Sequence, residues 1–338
     1  MTKSPAGPRR LLLVRLSAFG DVVFCLPAAK ALKAAFPEAE LAWAVEENLL
    51  PLLRGAPYVD RLLPTRTRRW RRAPVASRGE IRAFLREARA FAPDVIVDAQ
   101  GLFKSAWVTA LVPAPRKVGF GRRTATERIN LLATRERVDP VGRAHVADRM
   151  LALAEHVAGR GGFDPFPDVS HLVAAPDAAV DAFVAGAGGP FALLQPFAST
   201  PAKEWGARRF AALARALAAH GLRPVLLWGP GEEVRARGIA EASGALLAPP
   251  TGPAAAARLA SNAALFVGGD TGPTHLAAAA GAPTVALFGP TDPTRYAPRG
   301  PRVTVAAAPG RYNRKLSRSA RPDVDEVLDH ARRLGALP

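Results

Sequence analysis

Short uninterrupted apolar runs recur along this chain, most of them followed by a turn marked by glycine or charge and then by a stretch of helical period. The runs read as buried strands at Arg9–Leu16, Leu41–Val45, Val59–Leu63, Asp94–Asp98 and Lys117–Phe120. They resume at Phe191–Pro196, Pro224–Trp228, Leu246-Leu247, Leu265–Val267 and Thr284–Phe288. Between them the period predicts helices over Val22–Phe36, from Glu47 to about Arg54, over Ser77–Phe91, after Ala99–Ser105, and from His145 to about Val157. Later helices are predicted over Ala207–His220, after Gly229–Glu233, over Pro253–Ala260, Leu276–Ala280 and Asp323–Leu334. Residues 159–190 carry loop signals around one short helix, Asp177–Ala185, and mark a junction. The two alternating blocks predict an α/β chain of two Rossmann-like domains, residues 1–175 and 176–338, facing across a cleft. Leu265–Pro290 is expected to close the second sheet, and the last helix is a candidate to pack back on the first domain. Residues 1–8 read as a loose tail.

Within that pattern the chemistry concentrates at a few turns. Leu265–Pro290 reads LFVGGDTGPTHLAAAAGAPTVALFGP, a strand, a glycine turn, a helix and a strand. Pro273 suits a first helical turn, where its missing N–H costs nothing. Such a turn aims backbone N–H groups and the positive end of a helix at one point, which favours an anionic group such as a diphosphate. Asp270, Thr271 and His275 sit around that point. A plain strand–helix–strand unit with capping residues would share much of this; the Gly-Gly-Asp-Thr-Gly run followed by His275 favours a ligand site. Near the N-terminus, Ser17–Asp21 reads as a turn that puts a glycine and a carboxylate at the carboxyl end of the first strand, the usual place for a site in an open α/β sheet. The turn is not G-x-G-x-x-G, so the dinucleotide fingerprint is absent. A helix cap is the commoner role for an Asp so placed.

Charge adds a second signal. The 338 residues carry a net charge of +17, and residues 1–175 hold 28 Lys and Arg against 17 Asp and Glu. An excess of this size suggests a phosphorylated glycolipid, an anionic membrane face or nucleic acid, unless it reflects an arginine-rich proteome. Five arginines fall in the seven positions Arg66–Arg72, around Trp70. Their forks match phosphate and carboxylate oxygens, and with no acid interleaved they would repel one another without an anion. Gly121–Arg128 is a further basic loop. Hydrophobic residues make up 49%, enough for a full core, and Cys25 is the only cysteine, which excludes an intrachain disulfide and a cysteine zinc cluster. No run approaches the roughly 20 uncharged apolar residues of a membrane span, and Arg15 and Asp21 break the only signal-like stretch. A cytoplasmic protein is expected.

The quoted pieces resemble the ADP-heptose:lipopolysaccharide heptosyltransferases of glycosyltransferase family nine, most nearly those adding the first heptose. The matching pieces are SAFGDVVFCLPA around Asp21, WAVEE at Trp43–Glu47, RRWRR at Arg68–Arg72, VIVDAQGLFKSA at Val95–Ala106, PAKEW at Pro201–Trp205, WGPGEE at Trp228–Glu233, GGDTGPTHLAAA, and GPTDPTRY at Gly289–Tyr296. They span nearly the whole chain in order. The resemblance implies a GT-B fold and inverting, metal-independent transfer from ADP-L-glycero-β-D-manno-heptose to the Kdo region of lipid A, with no cofactor. It implies Asp21 as general base and Lys203 as the charge facing the donor phosphates. Thr200, Glu232, Asp270, Thr271, Gly272 and His275 would complete the donor site, with Glu232 on the ribose and Asp270 on the heptose hydroxyls. Arg68, Arg69, Arg71, Arg72, Lys104, Arg122, Arg123 and Arg128 would hold the acceptor's carboxylates and phosphates. The enzyme would work as a peripheral protein on the cytoplasmic face of the inner membrane.

Three rivals stand beside this reading: a transferase adding a later heptose, a nucleotide-sugar epimerase of the same fold, and a nucleic-acid-binding protein. The last would leave Asp21, Lys203 and Asp270 without a role, and its base stacking normally needs several exposed aromatics.

Overall fold

A computed structural model describes residues 7–307 and 321–338. The expected loose tail falls mostly outside the described residues. The chain divides into two compact units, Met1–Pro165 and Phe166–Pro338. The division precedes the expected 175/176 junction because residues just beyond Pro165 pack on the second unit. There a short helix, Ser170–Val173, absent from the sequence reading, lies against the helix Pro253–Ser261. Arg258 ties the two, donating to the Val173 carbonyl at 3.1 Å and pairing with Asp181 at 2.6 Å.

The first unit holds β1 (Arg10–Val14), β2 (Glu40–Glu46), β3 (Arg61–Thr65), β4 (Val95–Asp98), β5 (Arg116–Phe120) and β6 (Glu136–Val138), in the order β3-β2-β1-β4-β5-β6. The second holds β7 (Phe191–Gln195), β8 (Arg223–Leu226), β9 (Leu246–Leu247), β10 (Leu265–Gly269), β11 (Thr284–Phe288) and β12 (Val303–Ala307), in the order β12-β11-β10-β7-β8-β9. All pairings are parallel. Counted within each unit, both sheets read 3-2-1-4-5-6, the doubly wound order whose reversal, here at β1/β4 and β7/β10, opens a crevice at the strand carboxyl ends. The central strands are apolar throughout because helices cover both faces; Leu11 to Val14 and Leu265 to Val267 are fully buried.

Several expectations are corrected. The second sheet does not end at Thr284–Phe288: β12 adds an edge strand, and β6 does the same in the first sheet. Edge strands bury less, so their sequences carry charge or mixed polarity and give a weak strand signal. The last helix, Val324–Arg333, seats Val327, Leu328 and Ala331 in the same apolar cluster as Leu213 and Leu287 of the second unit, within the range expected for it. The segment after β2 is a 3₁₀ turn, Glu47–Leu52, not a longer helix, and the predicted Ser17–Asp21 turn already contains the start of the helix Phe19–Ala35.

Candidate active site

In the first unit, the loop leaving β1 and the loop leaving β4 meet at the sheet reversal. Gln100 joins them: its Oε1 accepts from the Leu16 N–H at 2.7 Å and its Nε2 donates to the Ser17 carbonyl at 2.9 Å. Asp98, fully buried at the end of β4, shapes the second loop by accepting from the N–H groups of Gln100 and Gly101 and from Thr109 and Asn130. Because the helix starts at Phe19, Asp21 lies in its first turn and accepts from the Ala18 N–H at 3.0 Å. Arg15, buried at the strand end, meets the same carboxylate oxygen at 2.7 Å and is itself fixed by the Ala99 carbonyl at 2.8 Å. Both contacts fall on Asp21 Oδ2. Oδ1 has no partner among the described residues, and the side chain is 30% exposed.

Lys104, on the helix Phe103–Leu111, donates to the Ser17 hydroxyl. Burial, then the nearby Arg15 charge, lowers its pKa from the ordinary lysine value; Arg68 adds to the effect while Glu46 and Asp21 oppose it. Four charged groups thus surround Lys104. Arg68 stands on a short helix, Thr67–Arg72, whose start is held by buried Glu46, an acceptor from the Thr67 N–H at 2.9 Å and from its hydroxyl.

The arginine run looks different in three dimensions. The helix points Trp70 inward, where it packs on Phe84 and Trp107 with ring centroids 5.6 Å away and donates to Glu80. That removes the aromatic on which a base could stack. The missing acids come from elsewhere in the chain: Glu80 pairs with Arg66 and Arg69, and Glu47 with Arg66. Arg69 is therefore partly spoken for, while Arg68, Arg71 and Arg72 are exposed and make no ion pair among the described residues. Arg122, Arg123 and Arg128 lie on the loop after β5, exposed, their side chains likewise unpaired among the described residues.

In the second unit, β10 ends in Gly268-Gly269. A Cβ at Gly268 would strike the Thr274 hydroxyl at 2.6 Å, and one at Gly269 would crowd the Lys203 carbonyl at 3.3 Å. The bare backbone lets the 3₁₀ turn Pro201–Lys203, entered from Thr200, close on the strand end. Lys203 Nζ then reaches Asp270 Oδ2 at 2.6 Å and the Asp270 carbonyl at 3.3 Å, and His275 Nε2 reaches Asp270 Oδ1 at 3.3 Å. Burial would raise the Asp270 pKa, but the His275 hydrogen bond and the Lys203 charge outweigh it and hold the carboxyl far below the usual carboxylate range. The helix Gly272–Ala279 begins here with no side chain capping its first turn, because the Thr271 hydroxyl turns aside to Gln195 at 3.0 Å and Thr274 at 3.1 Å. Uncapped N–H groups and a half-buried lysine make an anion cradle.

The structure thus brings together Lys203, Asp270, Thr271, Gly272 and His275, with Thr200 opening the same turn. Glu232 shares no hydrogen bond with them. It folds back on the Gly229 N–H at 2.8 Å, shaping the turn after β8. Both Asp270 oxygens are taken by Lys203 and His275, so the carboxylate orients those two side chains. Sequence reasoning missed Arg15, Ser17, Gln100 and Gln195. Arg15 left one trace, a charge interrupting the apolar run of the first strand.

Among the described residues, no group of three or more His, Cys, Asp or Glu could hold a metal ion, and no helix is long and apolar enough to cross a membrane.

Comparison with known proteins bears on both units. Residues 81–322 match the model of glycosyltransferase family 9 (heptosyltransferase). Lipopolysaccharide heptosyltransferase 1 of Salmonella typhimurium is 30% identical over 69% of this chain and 73% of its own length. The enzyme of the same name from Escherichia coli K12 is 30% identical over 69% of this chain and 72% of its own. The solved structure of E. coli heptosyltransferase WaaC with ADP superposes with a TM-score of 0.83 at 28% identity, covering 96% of this chain and 99% of that one. The two-domain fold and the anion cradle would also serve an epimerase of the same fold; the family model matched over residues 81–322 and relatives 30% identical decide the family: the chain belongs to glycosyltransferase family 9, the heptosyltransferases.

Proposed function

We propose that this protein transfers L-glycero-D-manno-heptose from ADP-L-glycero-β-D-manno-heptose to the Kdo region of lipid A, with inversion and without a metal, in lipopolysaccharide inner-core synthesis. The relatives' names support the first-heptose step, and the resemblance in the acceptor half, VIVDAQGLFKSA and RRWRR, points the same way. The observation that carries the chemistry is the asymmetry of Asp21. Arg15 and the Ala18 N–H both hold Oδ2, which fixes the carboxylate and leaves Oδ1 to take a proton.

The acceptor hydroxyl attacks the anomeric carbon while its proton passes to Asp21 Oδ1. The bond from that carbon to the diphosphate oxygen breaks, and ADP leaves with the electron pair. A carboxylate is a weak base at neutral pH, so the proton moves late, as the hydroxyl acidifies in an oxocarbenium-like transition state. Lys203 has three N–H donors. Asp270 takes two of them, and the third, with the N–H groups at Thr271 and Gly272, meets the charge growing on the leaving diphosphate. Thr200 borders this cradle and Glu232 receives the ribose. Asp270 positions Lys203 and His275, and its remaining lone pairs are offered to the heptose hydroxyls. On the acceptor side, Lys104, which feels the charges of both Asp21 and Arg68, binds the Kdo carboxylates together with Arg68. Arg71, Arg72, Arg122, Arg123 and Arg128, with Arg69 partly drawn off by Glu80, meet the lipid A phosphates at the cytoplasmic face of the inner membrane.

The test is transfer by the purified protein in EDTA, with Kdo₂-lipid A and with an acceptor already bearing one heptose. Product from the first alone is expected. Product from the second alone would move the protein to a later step, and transfer that needs an added divalent cation would remove the metal-free mechanism.

A further inference from the structure

Three large apolar side chains of the first unit are exposed on adjoining elements: Phe103 at 58%, Ile129 at 46% and Leu132 at 86%. Hydrogen bonds hold these elements together. The Phe103 N–H donates to Glu127 Oε2 at 2.6 Å, the Glu127 N–H to the Gly101 carbonyl at 3.0 Å, and buried Asn130 to the Leu102 carbonyl at 3.3 Å. Ile129 and Leu132 are three residues apart on the 3₁₀ turn Arg128–Leu132, whose repeat stacks such residues on one side. Asn130 anchors that turn from within, so its apolar residues face out. Arg122, Arg123 and Arg128, exposed and unpaired among the described residues, lie on the same loop.

We propose that this apex of the first unit docks on an anionic lipid bilayer, with Phe103, Ile129 and Leu132 entering the acyl boundary and the three arginines meeting lipid phosphates. The inference deepens the membrane contact proposed above, but its evidence and its test are independent of sugar transfer. The arginines select the occupant. A protein partner covering an apolar patch would face three uncompensated guanidinium groups at its rim, whereas an anionic bilayer supplies phosphate directly above hydrocarbon. The net charge of +17 adds long-range attraction of the same sign.

The test is co-sedimentation of the full-length protein with vesicles of phosphatidylethanolamine and phosphatidylglycerol, and with vesicles of phosphatidylcholine alone. Wild type should bind only the first, and release in about 0.5 M NaCl. The combined variant Phe103→Ser, Ile129→Ser, Leu132→Ser should bind at least about tenfold more weakly, and Arg122→Gln with Arg123→Gln about fivefold more weakly per arginine. Val234→Ser, an exposed apolar residue of the second unit, should bind as wild type does. Leu132→Cys carrying an environment-sensitive fluorophore should shift to the blue on anionic vesicles, a readout that survives if the triple variant folds poorly. Undiminished binding by a folded triple variant, an unshifted fluorophore, or equal binding to phosphatidylcholine would overturn the proposal. Transfer to a soluble Kdo acceptor without acyl chains should be unaffected by the Phe103, Ile129 and Leu132 changes, so loss of docking and loss of catalysis are told apart.

Discussion

The two units share a strand order and a place for a site, yet they fill that place in opposite ways. At each sheet reversal a glutamine braces the crevice: Gln100 holds the loop after β1, and Gln195 accepts from Thr271 at the helix after β10. In the first unit the helix start is occupied by the protein's own carboxylate, Asp21. In the second it is uncapped, and the nearby carboxylate, Asp270, is turned to Lys203 and His275 instead. An occupied helix start repels an added anion and an open one attracts it. Under the proposed function, the open helix start of the second unit suits the donor diphosphate, while in the first unit Lys104 and the arginines, not the helix start, meet the acceptor's anions.

Substitutions can break that contrast, beginning with the largest effect. Lys203→Ala should lower kcat about 10²–10³-fold, because the leaving diphosphate loses the Lys203 charge; single-turnover kinetics at saturating donor checks this. Asp270→Asn should cost about 2–3 kcal/mol of stability, since it leaves the Lys203 charge without its buried partner. The folded carboxyl lies well below its unfolded value near 3.9. Its contribution is thus complete above the unfolded pKa and fades as pH falls towards the folded one. Urea midpoints of wild type and Asp270→Asn should differ by a constant amount from about pH 5 to 8 and converge only in strong acid.

Arg15→Met is a sharper probe, since Arg15 meets Asp21 Oδ2 directly and is placed to act on the reaction through it. It should cut kcat about tenfold with donor KM unchanged, since a carboxylate no longer held at Oδ2 is poorly placed to receive the proton. An unchanged kcat with a lower Tm would mean that Arg15 serves only the fold. The smallest effect belongs to Lys104. Its pKa is lowered, so its charge opposes folding at neutral pH, and that penalty is relieved as pH rises from the folded pKa towards about 10.4. Lys104→Met should raise Tm by about 1–2 °C at pH 7, with the gain shrinking near pH 10.5, while acceptor KM rises.

The fold class and the Asp270–His275 cluster were legible because each is local. Apolar runs mark central strands, and Gly268, Gly269, Asp270, Gly272 and His275 fall within eight positions of sequence. What escaped depends on distance along the chain or on marginal burial. Glu47 and Glu80 neutralise arginines that look unopposed at Arg66–Arg72 only because chain folding brings them there. Trp70, set among arginines in the sequence, is turned inward by a six-residue helix that its charged neighbours do not announce. Arg15 joins Asp21 only if the helix begins at Phe19, and a boundary error of three residues hid the pair. Edge strands β6 and β12 bury too little to show a period.

The central claim is that Asp21 is the base of the first unit and that donor binding belongs to the second. Asp21→Asn keeps the shape of the side chain and removes its basicity. Titrating ADP by calorimetry and measuring transfer on the same preparation tests both halves at once. The account predicts an ADP Kd within about twofold of wild type and transfer reduced at least about a hundredfold. Transfer above about a tenth of wild type, or loss of ADP binding with the fold intact, would contradict it.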